Sequence, residues 1–144
     1  MRSRRLATLE RLAAMAERST RLALARSNQE VQRRLAQQQQ LEDYDLEYAT
    51  RWLAAGRHGI DGRDLRRLGA FRDSLARTLD TQLAAVRKSR ESLASDAGRW
   101  RGARERLRVY ADLVGRARAA ESRQAERRAQ REVDDLSAGR RRGQ

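Results

Sequence analysis

The sequence predicts an all-α protein: a long two-helix antiparallel coiled-coil hairpin whose second helix extends beyond the first. Three observations predict it. There is no proline in the chain, and proline is what helix interiors exclude, because its ring clashes with the preceding turn and it lacks a donor. A seven-residue apolar repeat runs through the second half. One glycine cluster punctuates the chain, at Gly56, Gly59 and Gly62, the first glycines in it.

Composition narrows the class further. Of the 144 residues, 37% are charged and only 4% aromatic, too little bulky apolar surface for a thick globular core. Such a composition with helical periodicity belongs to long helices and coiled coils. The formal net charge is +13, and every basic residue except Lys88 and the lone His58 is arginine. That balance favours acidic partners, although a GC-rich genome would enrich arginine and alanine in the same way. No cysteine is present, so a disulfide framework or thiol site is excluded. One histidine without cysteines builds no recognisable zinc site. No apolar run approaches the ~18 residues of a membrane span. The opening stretch, residues 1–21, is arginine-rich and amphipathic like a transit peptide. Glu10 and Glu17 within it argue instead for the first turns of a mature helix, since transit peptides are poor in acids.

The elements follow in order. The first helix is expected over about 4–55, with Gly56 placed to end it. A turn over 56–61 follows, with Asp61 as N-cap of the next helix and Asp64 in its first turn, where a carboxylate suits the helix dipole. The second helix is expected over about 62–138, leaving residues 139–144 as a frayed basic tail. The whole reads as one domain.

The second helix carries the clearest signal. Leu79, Val86, Leu93, Trp100, Leu107 and Val114 recur every seven residues. Leu68, Leu75, Gln82, Ser89, Asp96, Ala103, Tyr110 and Ala117 form the companion row. Such a repeat keeps one stripe on a partner helix with left-handed supercoiling. The first helix is noisier. At about 100° per residue, Leu24, Val31, Leu35, Leu46 and Leu53 fall on one face. Folding about His58 and Gly59 sets Val31 near Val86, Leu24 near Leu93, Arg21 near Asp96 and Asn28 near Ser89. It leaves the second helix unpartnered from about Gly115.

The same wheel arithmetic places Gln37, Leu41, Tyr44, Tyr48 and Trp52 together on another face of the first helix. Phe71 and Leu75 fall at the level of Tyr44 and Tyr48 across the turn. Glu42, Asp43, Asp45 and Glu47 surround them. Two readings stay open: an exposed interaction patch, or aromatics that widen the hairpin seam. No catalytic constellation is present. The chain has no phosphate loop of the GxxxxGK type and no nucleophile with a histidine to activate it. Gly98, Gly102 and Gly115 suit close approach of a partner or a gentle bend. No cofactor, metal or small-molecule ligand is expected.

In this frame, the order Leu41-x-x-Tyr44-x-x-x-Tyr48, Gly59, Phe71, Leu75, Gln82, Arg99-Trp100-Arg101 and the closing stretch with Glu126-Arg127-Arg128 and Val133-Asp134-Asp135 resembles the FliJ family of flagellar type III export. It is more distantly similar to the YscO-type proteins of virulence secretion. The resemblance implies a non-enzymatic hairpin like the central stalk of rotary F-type ATPases, linking an export ATPase ring to the export-gate protein FlhA and to substrate chaperones. It implies a gate-docking surface of Gln37, Leu41, Tyr44, Tyr48, Phe71 and Leu75. It also implies a ring-binding end carrying Arg116, Arg118, Arg123, Arg127, Arg128 and Arg131, and a cytoplasmic protein peripheral to the inner membrane through the export apparatus. The other class to weigh is a basic coiled-coil nucleic-acid-associated protein. Against it, Tyr44 and Tyr48 sit among acids, the reverse of a base-stacking platform, and no specific nucleic acid is expected.

Overall fold

The computed structural model describes residues 1–143. Two α-helices, α1 (Arg2–His58) and α2 (Gly62–Arg142), pack against each other as a hairpin. No strand occurs among the described residues.

The turn is shorter than the glycine cluster suggests. α1 runs through Gly56 to His58, and Gly59 ends it with φ of 76°. This is the left-handed conformation that glycine alone adopts freely after a helix. Gly56 therefore sits in the last turn, at the modest entropic cost of a helical glycine. Arg57 and His58 lie in that turn, where cations suit the negative end of the dipole. The Leu65 amide donates to the Asp61 carbonyl at 3.0 Å, which opens α2 directly after Asp61, and Asp64 lies in its first turn. At the other end the helix passes through Gly139 to Arg142. Of the stretch expected to fray, residues 139–142 are helical, and the Gly143 amide donates back to the Gly139 carbonyl at 3.2 Å, while Gln144 lies outside the described residues.

The chain forms two compact units: a loop unit, residues 21–99, and a terminal unit made of residues 1–20 with 100–144. In the loop unit Val31, Leu75 and Val86 are buried, with Leu24, Leu35, Leu41, Tyr48, Trp52, Leu68, Leu79 and Leu93 half-buried around them. Polar layers cross this seam. Gln82 Nε2 donates to the Arg34 carbonyl at 2.8 Å and to Gln37 Oε1 at 3.3 Å. The Ser27 hydroxyl donates to the Asp96 carboxylate. These pairs and the Tyr48–Phe71 contact centre the fold on Ile60 instead of His58 and Gly59. Asp96 therefore meets Ser27 instead of the expected Arg21, and Asn28, expected near Ser89, is exposed.

In the terminal unit Ala103 and Val114 are buried, together with Ser3. Trp100 Nε1 donates to Glu17 Oε1 at 3.2 Å, and the Arg104 guanidinium lies 5.3 Å from the Trp100 ring centre. The Ser3 amide and hydroxyl donate to the two Glu121 carboxylate oxygens at 3.1 and 2.6 Å. α1 thus still covers α2 at Glu121, six residues past the expected limit of Gly115. Beyond Glu121 every described residue is exposed, an overhang of roughly 30 Å at 1.5 Å per residue.

Every seam position named for α2 is buried or half-buried, from Leu68 to Ala117. α1 departs from expectation at the loop end. Leu46 and Leu53 are 69% and 66% exposed, while Leu41, Tyr48 and Trp52 turn inward. The cause is the period. A straight wheel at 3.6 residues per turn drifts about 20° per heptad from the 3.5 repeat that holds a seam. Over the four heptads from Leu24 to Leu53 the error grows to about 80°. Followed at 3.5, the seam passes from Leu24 and Val31 to Trp52, with Leu41 and Tyr48 in the companion row.

The helical glycines have open space around them. A Cβ added at Gly69, Gly98, Gly102 or Gly115 would meet nothing within 4 Å. No close approach of the two helices requires them.

Candidate partner-binding surfaces

The loop unit carries the aromatic group. Following the 3.5 repeat separates its members by depth. Tyr48 is half-buried and stacks on Phe71, ring centres 4.2 Å apart and planes tilted by 30°. Leu75 is buried and forms the floor, so it has no surface to offer a partner. Gln37 and Leu41 are half-buried, Gln37 being held as an acceptor by Gln82. Tyr44 stands outside the seam at 55% exposure, and Phe71 shows 43% of its surface. Tyr48 thus widens the seam, and Tyr44 and Phe71 project from it.

Acidic residues surround Tyr44. Gln40, Asp43 and Glu47 line a shallow groove with its ring. Neighbours on α1 orient these carboxylates: Gln38 donates to Glu42 at 2.9 Å, Gln39 to Asp43 at 3.0 Å, and Arg51 pairs with Glu47 at 3.0 Å. All are one helical turn apart, a spacing that orders side chains at little energetic gain. Further exposed apolar residues, Leu46, Leu53 and Leu65, were missed in the sequence because the first two had been assigned to the seam. The heptad phase of α1 is the signal for Leu46 and Leu53, whereas Leu65 lies in the first turn of α2.

In the terminal unit Arg116, Arg118, Arg123, Arg127, Arg128 and Arg131 are all exposed. Arg116 pairs with Asp112 at 3.1 Å. Arg123, Arg127, Arg128 and Arg131 make no ion pair among the described residues. Arg116 and Arg123 border a groove with Arg2, Leu6, Leu113 and Ala117. The Glu121 carboxyl in it is held below the ordinary carboxylate range, mainly by the Ser3 hydroxyl and then by the Ser3 amide. Past Gln124 the arginines alternate with Glu126, Glu132, Asp134 and Asp135. Val133 and Leu136 are exposed beside them.

No group of three metal-ligating side chains occurs among the described residues. Among the described residues, no helix is long and apolar enough to cross a membrane.

A single-seam hairpin with its charge spread over solvated faces defines a two-helix coiled-coil protein. Within that class, the family model described as Flagellar FliJ protein matches residues 1–144, and the chain belongs to this family. It is accordingly a component of flagellar type III protein export, and its family is non-enzymatic. No curated protein and no solved structure matches the chain.

Proposed function

We propose that the chain is a stalk and escort of the export apparatus, binding the export ATPase ring, the export-gate protein FlhA and export chaperones. The observation that carries this reading is Tyr44 and Phe71 standing exposed beside the seam on the loop unit, ringed by carboxylates. Amphipathic aromatics in a partly apolar patch are the usual anchors of protein interfaces, and an acidic ring repels nucleic acid.

The gate-docking surface is then Tyr44 and Phe71, with Gln37, Leu41 and Tyr48 at its edge and Leu75 supporting it from beneath. The ATPase ring is met by Arg116, Arg118, Arg123, Arg127, Arg128 and Arg131 on the terminal unit, whose guanidinium forks suit carboxylates bidentately. The protein works at the cytoplasmic face of the inner membrane.

A pull-down against the two partners tests both assignments. Tyr44→Ala loses FlhA and keeps the ring, and Arg127→Glu with Arg128→Glu does the reverse. Failure of the intact chain to bind any export ATPase would overturn the stalk role.

A further inference from the structure

The first turns of α1 carry a third surface that neither docking role uses. Centred on Leu12, the face turned away from α2 holds Leu9, Met15 and Ala16, each within about 60° of Leu12 at 100° per residue. Leu12 is 56% exposed and Met15 62%. Arg5 lies within this stripe. Arg4, Arg11 and Arg18 recur every seven residues along one border, and Arg2 stands on the other.

Glu10 and Glu17 are the only carboxylates in residues 1–20, and both are half-buried on the side facing α2. Glu17 accepts the Trp100 indole N–H there. The two acids that argue against a targeting peptide in the sequence are thus withdrawn from the outer face. What remains outside is aliphatic and cationic, with the hydroxyls of Thr8 and Ser19 among them and no carboxylate. Arg2, Arg4, Arg5, Arg11 and Arg18 make no ion pair among the described residues.

We infer that this face docks on a membrane surface containing anionic phospholipid. An aliphatic centre edged by arginines is the pattern of a helix lying in the plane of a bilayer, apolar side chains in the acyl boundary and guanidinium groups among the headgroup phosphates. Phosphates alone, as on a nucleic acid, would give Leu9, Leu12 and Met15 nothing to cover them. The overhang of α2 lacks the pattern, since its arginines alternate with four carboxylates. The inference does not rest on the partner assignments above.

The test is sedimentation of the intact chain with phosphatidylcholine vesicles, with and without phosphatidylglycerol, at about 0.1 M salt, where the Debye length is ~10 Å. Binding rises at least about tenfold with the anionic lipid, since each arginine near such a surface contributes favourably. Leu12→Gln with Met15→Gln, and separately Arg4→Gln with Arg11→Gln and Arg18→Gln, each weaken it about tenfold or more. The thermal midpoint stays within error in both variants, because these side chains are exposed. Arg127→Gln with Arg128→Gln and Arg131→Gln leaves vesicle binding unchanged.

The chain has no cysteine, so Leu12→Cys takes a single polarity-sensitive dye, whose emission shifts to the blue on anionic vesicles. The same dye on Leu46→Cys does not shift. Equal binding to both vesicle types, loss of binding through the overhang variant instead, or a silent dye at Leu12→Cys on bound protein overturns the inference. So does tight binding of duplex DNA that depends on Leu12 and Met15 when vesicles do not bind.

Discussion

Substituting Tyr48 and Leu46 by alanine, one at a time, tests the seam assignment on α1 directly. The straight wheel puts Leu46 in the seam and Tyr48 on a separate face; the 3.5 repeat reverses them. Tyr48 is half-buried and stacked on Phe71 at 4.2 Å. Complete truncation of a buried aromatic costs about 3–5 kcal/mol. Half of that gives about 2 kcal/mol for Tyr48→Ala, of which roughly 0.5–1.5 kcal/mol belongs to the ring pair. For a chain of this size 1 kcal/mol moves the thermal midpoint by roughly 3–4 °C, so Tyr48→Ala falls by about 6–8 °C. Leu46, at 69% exposure, shifts by less than about 2 °C, within the ±0.5 kcal/mol of ordinary surface changes. Far-UV circular dichroism melts measure both. A double-mutant cycle with Phe71→Ala isolates the ring pair, with a coupling of about 0.5–1.5 kcal/mol. A silent Tyr48→Ala, or a Leu46→Ala as damaging as Tyr48→Ala, would show that α1 meets α2 through the other face and refute the period argument.

Val86→Ala removes buried methyl groups from the centre of the loop unit and lowers unfolding stability by roughly 1.5–2.5 kcal/mol, read from denaturant titration. Gly98→Ala and Gly102→Ala each raise stability by about 0.5–1 kcal/mol, because both are helical and a Cβ meets nothing within 4 Å; a loss in either would reveal a packing constraint there. The Glu30 carboxyl is pulled down to about 2, first by its hydrogen bonds from Arg33 and then by Arg34. A depressed folded-state value stabilises the fold above the ordinary 4.5 and loses that contribution as pH falls toward 2. The midpoint difference between the parent and Glu30→Gln therefore shrinks progressively from pH 4.5 to pH 2 in melts. Ending the chain after Gln124 leaves the melt unchanged, since every described residue removed is exposed.

α2 was legible because its seam is written in large apolar residues at strict sevenfold spacing, with Val86, Ala103 and Val114 buried as the repeat requires. α1 was not, because many of its inward positions are polar or charged. Ser3, Glu10, Glu17, Ser27, Arg34 and Asp45 are all buried or half-buried. Leu12, Leu22, Leu46 and Leu53 are exposed. A search for apolar periodicity on α1 alone follows the wrong residues as readily as the right ones, because exposed and inward large apolar residues are equally numerous there. The turn was legible as a region, but the helix end was not. Three glycines could each end α1, and only the backbone shows that Gly59 is the one with positive φ. Among the aromatics, side-chain type suggested one patch where depth distinguishes exposed Tyr44 from inward Tyr48.

The polar residues that hid the seam of α1 also explain how so thin a hairpin holds one register. No large side chain among the described residues is fully buried, so sliding one helix along the other by a heptad would cost little apolar contact. The polar layers make such a slip expensive. Moving Gln82 away from the Arg34 carbonyl and Gln37, or Asp96 away from Ser27, breaks bonds matched across the seam, each with a net worth of about 0.5–1.5 kcal/mol. In the terminal unit the Trp100–Glu17 and Ser3–Glu121 bonds act the same way, each matching a donor on one helix with a carboxylate on the other. This is the use of polar seam positions in coiled coils generally: stability is given up for register. For a protein whose proposed work depends on which residues stand at the turn and which extend beyond Glu121, register decides what its partners meet. A slip of one heptad would separate Tyr48 from Phe71 and move the start of the overhang.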